Sequence, residues 1–314
     1  MTIVERVDQW QRDGVISDAQ HDALGALVRK DRFSVFLELH ALLYLGVLSI
    51  AAGVLWTVRT HSAALGDVVI VLTLTIIVGA SFSYCFSRTP PYSSEQVESP
   101  TMAFDYVLYL GCVVFAIELS YIETRFGLLK EAWDIYVLVT AGVCFFAAYR
   151  FDNRFVLSLA LSTLAAWFGI KVTRFGFLAA DTLRVSALGY AALVAAMGVA
   201  LHRLAVKKHF METHLHVAAT TAFIALVSGV DATGGRTLYL AGLLAVGVIA
   251  VAAGIHYHRF AFFGYGVVYP YLGISFRILR SLHDETMVFG YGLVSGTAVV
   301  VLLVYVARRF GREA

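Results

Sequence analysis

The sequence has 314 residues, of which 59% are hydrophobic and 15% are charged, and its formal net charge is +2. Soluble domains usually carry about 25% charged residues, so this composition excludes an ordinary soluble globular protein. The small net charge gives no reason to expect a nucleic-acid partner. The apolar residues fall in long continuous blocks rather than in short alternating strands, and they predict an all-α protein whose surroundings are the lipid bilayer.

Residues 1–33 form a polar segment in which we expect two short helices, arranged as a cytoplasmic helix hairpin. In the stretch "WQRDGVISDAQ", Gly14 suits the left-handed residue that ends a helix, and Ser17 with Gln20 has the spacing of a capping box. So small a hairpin is not stable alone, so its apolar side chains must dock on the rest of the protein, on the membrane surface or on a partner. The candidate docking residues are Trp10, Leu24 and Leu27.

Ten apolar blocks follow, each close to the roughly 20 residues that cross a hydrocarbon core. They predict a polytopic transmembrane helix bundle of about ten spans over residues 34–308, followed by a cytoplasmic tail over 309–314. Residues 1–35 contain charges throughout and no apolar core, so we expect no cleavable signal peptide. The predicted spans are approximately 36–58, 66–86, 104–122, 132–149, 154–171, 184–203, 213–230, 237–255, 260–279 and 286–307.

The distribution of Lys and Arg predicts which ends of these spans are cytoplasmic. With the N-terminus inside, the alternating spans place fifteen of the 24 Lys and Arg residues inside and nine outside. This bias predicts that both termini are cytoplasmic. The longest inside connection, 87–103, contains Pro90 and Pro91 among several Ser and Glu residues, which is typical of a flexible loop.

Two of the inside turns resemble each other in sequence: "AAYRFDNRF" at 147–155 and "AAGIHYHRF" at 252–260. The matching turns lie an even number of spans apart, so repeated units would point the same way across the membrane. Two interpretations stay open, namely parallel repeats of a helix hairpin and chance similarity among apolar helices with basic turns.

Ionisable residues within spans are informative because each costs roughly 3 kcal/mol or more at mid-depth when it has no partner. Glu118, Asp134 and Arg277 all fall toward the outer ends of their predicted spans. One interpretation is an outer pocket in which Glu118 or Asp134 pairs with Arg277 and an incoming solute competes for that pairing. The other is a set of structural ion pairs and of side chains that reach the membrane surface from helix ends.

The predicted ninth span, "FAFFGYGVVYPYLGISFRIL", has a proline near its middle. Pro270 removes one helical hydrogen bond, and it is flanked by Tyr269 and Tyr271. This pattern fits a broken helix whose carbonyl groups line a cavity, as in substrate-binding helices of membrane proteins. It also fits an ordinary kinked helix whose neighbours satisfy the freed backbone groups.

The histidine spacing does not predict a metal site. His214 and His216 are two residues apart, as are His256 and His258, whereas a helical zinc motif needs a spacing of four. We expect these side chains at the level of the lipid headgroups. Catalytic motifs such as GxSxG, HExxH and the P-loop are absent, so we expect no cofactor and no enzyme activity. The cysteines lie singly within apolar blocks, at Cys85, Cys112 and Cys144.

The N-terminal motif resembles the start of the bacterial predicted membrane proteins of the domain-of-unknown-function family 2157. The residues that carry the resemblance, in a segment that precedes a run of spans, are Trp10, Gly14, Ile16, Ser17 and Gln20. The resemblance implies a cytoplasmic helix hairpin ahead of a multi-span region, and a location in a bacterial inner membrane. It implies no activity and no catalytic residues.

These observations favour binding or transport of a small solute or lipid through an intramembrane cavity beside the ninth span. In this hypothesis Glu118, Asp134 and Arg277 set the polarity of the cavity, and its lining residues are Tyr269, Pro270 and Tyr271. The alternative is a non-catalytic accessory or scaffold protein that docks a cytoplasmic protein through residues 1–32. An intramembrane enzyme is a third hypothesis. The sequence does not specify the oligomeric state.

Overall fold

The structure is a computed structural model, which describes residues 9–18, 20–21, 42–43, 45–50, 52–54, 56–57, 60, 66–128, 134–174, 180–232 and 235–313. The chain divides into two compact units, Met1–Trp56 and Thr57–Ala314. All regular secondary structure in the described ranges is helical, which confirms the expected all-α class. The first predicted span, 36–58, is described only in part, and its described residues, between 42 and 57, are helical; Leu24 and Leu27 lie outside the described residues.

The turn of the N-terminal segment has the predicted geometry. Gly14 has a φ of +70°, and the N–H groups of Val15 and Gly14 donate to the carbonyls of Trp10 and Gln11 at 2.9 and 3.0 Å. This pair of bonds is the Schellman motif that ends a helix. Ser17 and Gln20 then bond reciprocally: the Ser17 N–H donates to Gln20 Oε1 at 2.9 Å, and the Gln20 N–H donates to Ser17 Oγ at 3.3 Å. The next helix therefore begins at a capping box.

The described part of the second unit contains nine helices, which coincide one to one with the last nine predicted spans. Seven of them, all except α4 and α8, are long and apolar enough to cross a membrane by length and composition, so the chain is a multi-pass membrane protein. The helices are α1 (Asp67–Arg88), α2 (Met102–Phe126), α3 (Asp134–Phe151), α4 (Arg154–Arg174), α5 (Ala180–Arg203), α6 (Phe210–Gly229), α7 (Arg236–His256), α8 (Phe260–Ser281) and α9 (Glu285–Glu313).

The helices pack mainly as hairpin pairs: α1 with α2, α3 with α4, α5 with α6, and α7 with α8. The connections inside these pairs are 89–101, 152–153, 204–209 and 257–259. Hydrogen bonds and ion pairs between these connections and the helix ends beside them place all four on one side of the bundle. We call this side the Asp152 end, and the opposite side, where α1 begins, the Asp67 end.

Three of the four hairpin turns end their first helix in the same way. Asp152, Ala205 and His258 have φ values of +58°, +59° and +52°, and the residue after each donates its N–H to a carbonyl five residues back. Such left-handed residues cost about 1–2 kcal/mol each when they are not glycine, so tertiary contacts must hold them. The shared geometry includes both sequence-matched turns, but helices commonly end at a left-handed residue, so it fits both interpretations of the sequence similarity.

The helix α8 continues through Pro270, and this proline packs against α7. A Cβ atom on Gly247 would lie 2.6 Å from Pro270 Cγ, so the missing side chain makes room for the proline ring. One turn earlier, a Cβ atom on Gly266 would lie 2.5 Å from the Gly247 carbonyl oxygen. Small residues of this kind let the backbones of membrane helices approach closely, and here they bring α7 and α8 together.

The close approach predicts that Gly266→Ala destabilises the bundle by about 1–3 kcal/mol, because the added methyl group overlaps backbone that cannot move aside. Gly264→Ala is the matched control, since nothing lies within 4 Å of a Cβ atom there. The control should be neutral or slightly stabilising, as alanine favours the helix. Thermal unfolding in detergent measures both variants, and equal melting temperatures would contradict the packing described here.

Candidate functional site

The structure does not bring Glu118 or Asp134 together with Arg277. Glu118 is buried and accepts a hydrogen bond from Thr75 Oγ1 at 2.5 Å, which ties α2 to α1. Asp134 is fully buried at the start of α3. Arg277 belongs to α8, which packs against α6, α7 and α9, and no ion pair joins it to either carboxylate in the described structure. The expected outer pocket is therefore not formed by these three residues, because their helices pack against different neighbours.

The residues around Pro270 are also packed against protein. The Tyr269 ring stacks on Phe223 of α6 with centroids 4.9 Å apart and ring planes 4° apart. Pro270 fills the space beside Gly247 of α7, and the Tyr271 hydroxyl bonds Ser295 Oγ of α9 at 3.0 Å. The three consecutive residues thus contact three different helices, and they join α8 to its neighbours. This packing favours the interpretation in which neighbouring helices surround Pro270 over the cavity expected beside it.

A cavity of about 350 Å³ instead lies between α2, α3 and α4, in the half of the bundle near the Asp67 end. This volume falls within the range typical of small-molecule sites. Two of its lining residues are exposed, so the cavity opens at the surface of the helices. We call it the α2–α4 cavity. Its polar lining residues are Ser120, Glu123, Thr124, Tyr136, Thr140 and Thr163.

The threonine hydroxyls of the α2–α4 cavity are already used as donors. The hydroxyls of Thr124, Thr140 and Thr163 donate to the backbone carbonyls four residues back at 2.7, 2.8 and 2.8 Å. A hydroxyl has a single proton and two acceptor lone pairs, so each of these groups keeps only acceptor capacity. These three hydroxyl groups therefore offer acceptors rather than donors to the cavity.

A second polar feature, at the Asp152 end, consists of Asp152, Lys207 and His209, which we call the Asp152 cluster. Lys207 Nζ donates to Asp152 Oδ2 at 2.9 Å, and His209 Nε2 contacts Asp152 Oδ1. The side chains of Lys207 and Asp152 are 1% and 2% exposed, so this is a buried ion pair. Burial lowers the pKa of His209, although the facing Asp152 carboxylate opposes the shift. The histidine is therefore uncharged at neutral pH, and Lys207 is the cation that balances Asp152.

The Asp152 cluster holds the connection 89–101, which the sequence suggested to be flexible. The Lys207 N–H donates to the Ser94 carbonyl at 2.7 Å, and its Nζ donates to the Glu95 carbonyl at 3.0 Å. The Val97 N–H donates to Asp152 Oδ2 at 2.5 Å. The expectation of a flexible loop was wrong because backbone groups in this connection are bonded to buried charges on two other turns.

Sequence reasoning missed the Asp152 cluster because its members come from two distant turns. Lys207 is buried and the next residue, Lys208, is exposed, but the sequence "VKKH" does not indicate which of the two lysines is buried. The buried lysine has a φ of +45°, a strained value that the bonds of the cluster offset. Both oxygens of the Asp152 carboxylate have partners, and these contacts tie the connection 89–101 to the other two turns. Within the described ranges, no group of three His, Cys, Asp or Glu side chains is placed to hold a metal ion.

From the buried ion pair we predict that Lys207→Met destabilises the protein by about 3–5 kcal/mol, because the Asp152 carboxylate stays buried without its cation. The loop 89–101 should then be cut faster after Glu95 and Glu98 by a glutamate-specific protease. Lys208→Met is the matched control, since that lysine is adjacent but exposed. Melting temperature and the time course of cleavage measure the effect. Identical cleavage of the two variants would show that Lys207 does not hold the loop.

Comparison with known proteins supports the membrane assignment. The model of a family described as "Predicted membrane protein (DUF2157)" matches residues 8–157. No curated protein and no solved structure matches the chain. The matched part includes the N-terminal turn, the first three helices of the bundle and most of the lining of the α2–α4 cavity. Residues 8–157 are therefore similar to this family of predicted membrane proteins, which confirms the resemblance of the N-terminal motif.

Proposed function

We propose that the protein binds a small solute or lipid within the membrane, in the α2–α4 cavity. The observation that carries the proposal is the volume of about 350 Å³ together with a lining in which six of the nine described residues have a hydroxyl or a carboxyl group. A simple packing defect in a membrane protein would have apolar walls. Polar groups within spans are costly, and they commonly mark the pathways and sites of ligands.

Binding, rather than passage across the membrane, is the activity that this cavity favours. It lies in the half of the bundle near the Asp67 end, whereas a transport path would also have to open the Asp152 end. There the Asp152 cluster joins the connection 89–101 to two other turns. We propose that the Asp152 end lies in the cytoplasm of a bacterial inner membrane, because the connections at this end are among the segments that the Lys and Arg distribution of the sequence predicts to be inside.

Filling the cavity should remove binding. Thr163→Trp places a large ring in the α2–α4 cavity, and we expect it to abolish retention of the bound molecule. Thr73→Trp is the matched control: Thr73 is exposed on α1, and its hydroxyl donates to a backbone carbonyl at 2.8 Å, as the hydroxyl of Thr163 does. Native mass spectrometry of the protein released from native membranes measures the bound molecules. Equal retention by wild type and both variants would refute the proposed function.

A second candidate function is that of an accessory protein which docks a cytoplasmic protein through residues 1–32. Trp10 favours it, because this large apolar side chain is 43% exposed beside the Schellman turn. Exposed tryptophan side chains are frequent energetic centres of protein interfaces. In this hypothesis the bundle anchors the N-terminal segment at the membrane, and the α2–α4 cavity has no ligand.

Trp10→Ala should then abolish co-purification of the partner while it leaves the melting temperature of the protein unchanged. Val15→Ala is the control, since Val15 is 67% exposed in the same turn and has a much smaller side chain. Quantitative mass spectrometry after gentle cross-linking in cells gives the readout. A set of cross-linked proteins that does not change in Trp10→Ala would exclude docking through this residue.

A further inference from the structure

We infer that an anion with a phosphate group binds at the Asp67 end of the bundle, on arginine side chains that meet around the α6–α7 connection. The inference concerns a surface separate from the α2–α4 cavity, and it does not depend on the proposed function. We call this surface the arginine cluster. Its members come from α5, α7 and α8, and they are Arg184, Arg236, Arg277 and Arg280.

Two of these arginines contact adjacent residues of the segment that follows α6. The Arg280 guanidinium, near the end of α8, forms an ion pair with Asp231. Arg236, the first residue of α7, donates from Nε to the Ala232 carbonyl at 3.5 Å. Because Asp231 and Ala232 are neighbours in the chain, the guanidinium groups of α7 and α8 lie close to the same connection.

Arg277 lies on the face of α8 that is directed toward this connection. It is four residues after Gly273 and three before Arg280, so all three positions share one side of the helix. A Cβ atom on Gly273 would lie 3.4 Å from Val230 Cγ2, and Arg280 bonds the next residue in the chain. The exposed Arg277 side chain therefore starts between two positions that both contact the end of α6.

Arg184 brings α5 to the same region. Its Nε donates to Ser228 Oγ of α6 at 3.3 Å, and its guanidinium carbon lies 5.9 Å from the centre of the Tyr239 ring of α7. Arg184 also forms an ion pair with Asp181 of its own helix at 2.7 Å. The cluster thus gathers positive charge from two helix hairpins at one edge of the bundle.

Only part of this charge is balanced by carboxylates. Arg184 pairs with Asp181 and Arg280 pairs with Asp231, whereas no ion pair within the described ranges joins a carboxylate to Arg236 or Arg277.

The acidic residues that follow α8 belong to the start of α9. Asp284 Oδ1 accepts the Thr286 N–H at 2.9 Å, and Glu285 lies in the first turn of α9, where the helix dipole stabilises a negative charge. Neither carboxylate forms an ion pair with the cluster in the part of the chain that the structure describes. Two guanidinium groups therefore have a complementary charge only if a bound anion supplies it.

A phosphate group on a lipid has the chemistry and the position that these arginines require. Guanidinium groups present pairs of N–H donors that match phosphate oxygens. Arginines at the ends of membrane helices reach the level of the lipid headgroups. Apolar side chains beside the two unpaired arginines are exposed, with Phe276 next to Arg277 and Leu238 two residues after Arg236. A lipid phosphate on the cluster would therefore have its acyl chains along these residues.

Two sources share this chemistry, an anionic phospholipid headgroup and free phosphate. The lipid arm of the test adds phosphatidylglycerol or phosphatidylcholine to delipidated full-length protein and measures binding by native mass spectrometry. The soluble arm titrates sodium phosphate against sodium chloride at equal ionic strength by calorimetry. We expect phosphatidylglycerol to bind about tenfold more tightly than phosphatidylcholine, whose ammonium offsets the phosphate charge. Specific heat from phosphate alone would instead assign the cluster to the free anion.

The variants locate the binding. Arg277→Gln should remove the preference for the anionic probe. Arg125→Gln is the matched control, because Arg125 lies at the same end of the bundle but is paired with Asp67 at 2.7 Å, and it should keep the preference. Thr163→Trp, which fills the α2–α4 cavity, should also keep it.

The comparison of probes on the wild-type protein does not depend on whether any variant folds. Equal affinity for the two lipids, together with no heat from phosphate beyond that from chloride, would overturn the inference. An equal loss in Arg277→Gln and Arg125→Gln would overturn it as well, since a general attraction of anions to the membrane face would then explain the binding. Loss in Thr163→Trp would assign the anion to the α2–α4 cavity and not to the arginine cluster.

Discussion

The buried ion pair between Lys207 and Asp152 is the interaction on which the arrangement of the bundle most depends. Two charges removed from water are stable only when they satisfy each other and their remaining hydrogen-bonding groups. Here the carboxylate also accepts the Val97 N–H, and the ammonium also donates to the Glu95 carbonyl. One pair of side chains thereby joins the connections of three helix hairpins. The bundle is consequently fixed at the Asp152 end, where its most strained backbone also lies.

Near the Asp67 end, the ion pair between Arg280 of α8 and Asp231, which follows α6, crosses between hairpins, but other polar contacts there have a shorter reach. Arg125 and Tyr121 bond Asp67, and so join α1 and α2, while Arg184 bonds Ser228 and so joins α5 and α6. Each of these contacts links the two helices of one hairpin. The α2–α4 cavity lies in this half of the bundle, between the first two hairpins. A bundle that is tied across hairpins at one end can keep an open space between hairpins at the other, which is the arrangement a binding site requires.

Local features of the fold could be predicted from the sequence, and long-range ones could not. The boundaries of the nine described helices in the second unit follow from uninterrupted apolar blocks, and the turn at Gly14 follows from short-range capping chemistry. Which helices become neighbours is a different matter, because one apolar surface packs on another with little chemical preference. Glu118 therefore has its hydrogen-bond partner on α1 and no ion-pair partner on α8 among the described residues. Pro270 packs against a glycine of α7 and does not line the expected cavity. The cavity itself arises from residues on three helices whose spacing along the chain has no recognisable pattern.

The hairpin pairs also have a consequence for how such a protein can change in length. A pair of helices whose turn lies at the Asp152 end begins and ends at the Asp67 end. Duplication or loss of one whole pair leaves every later helix in its original orientation, whereas gain or loss of a single helix inverts all that follow.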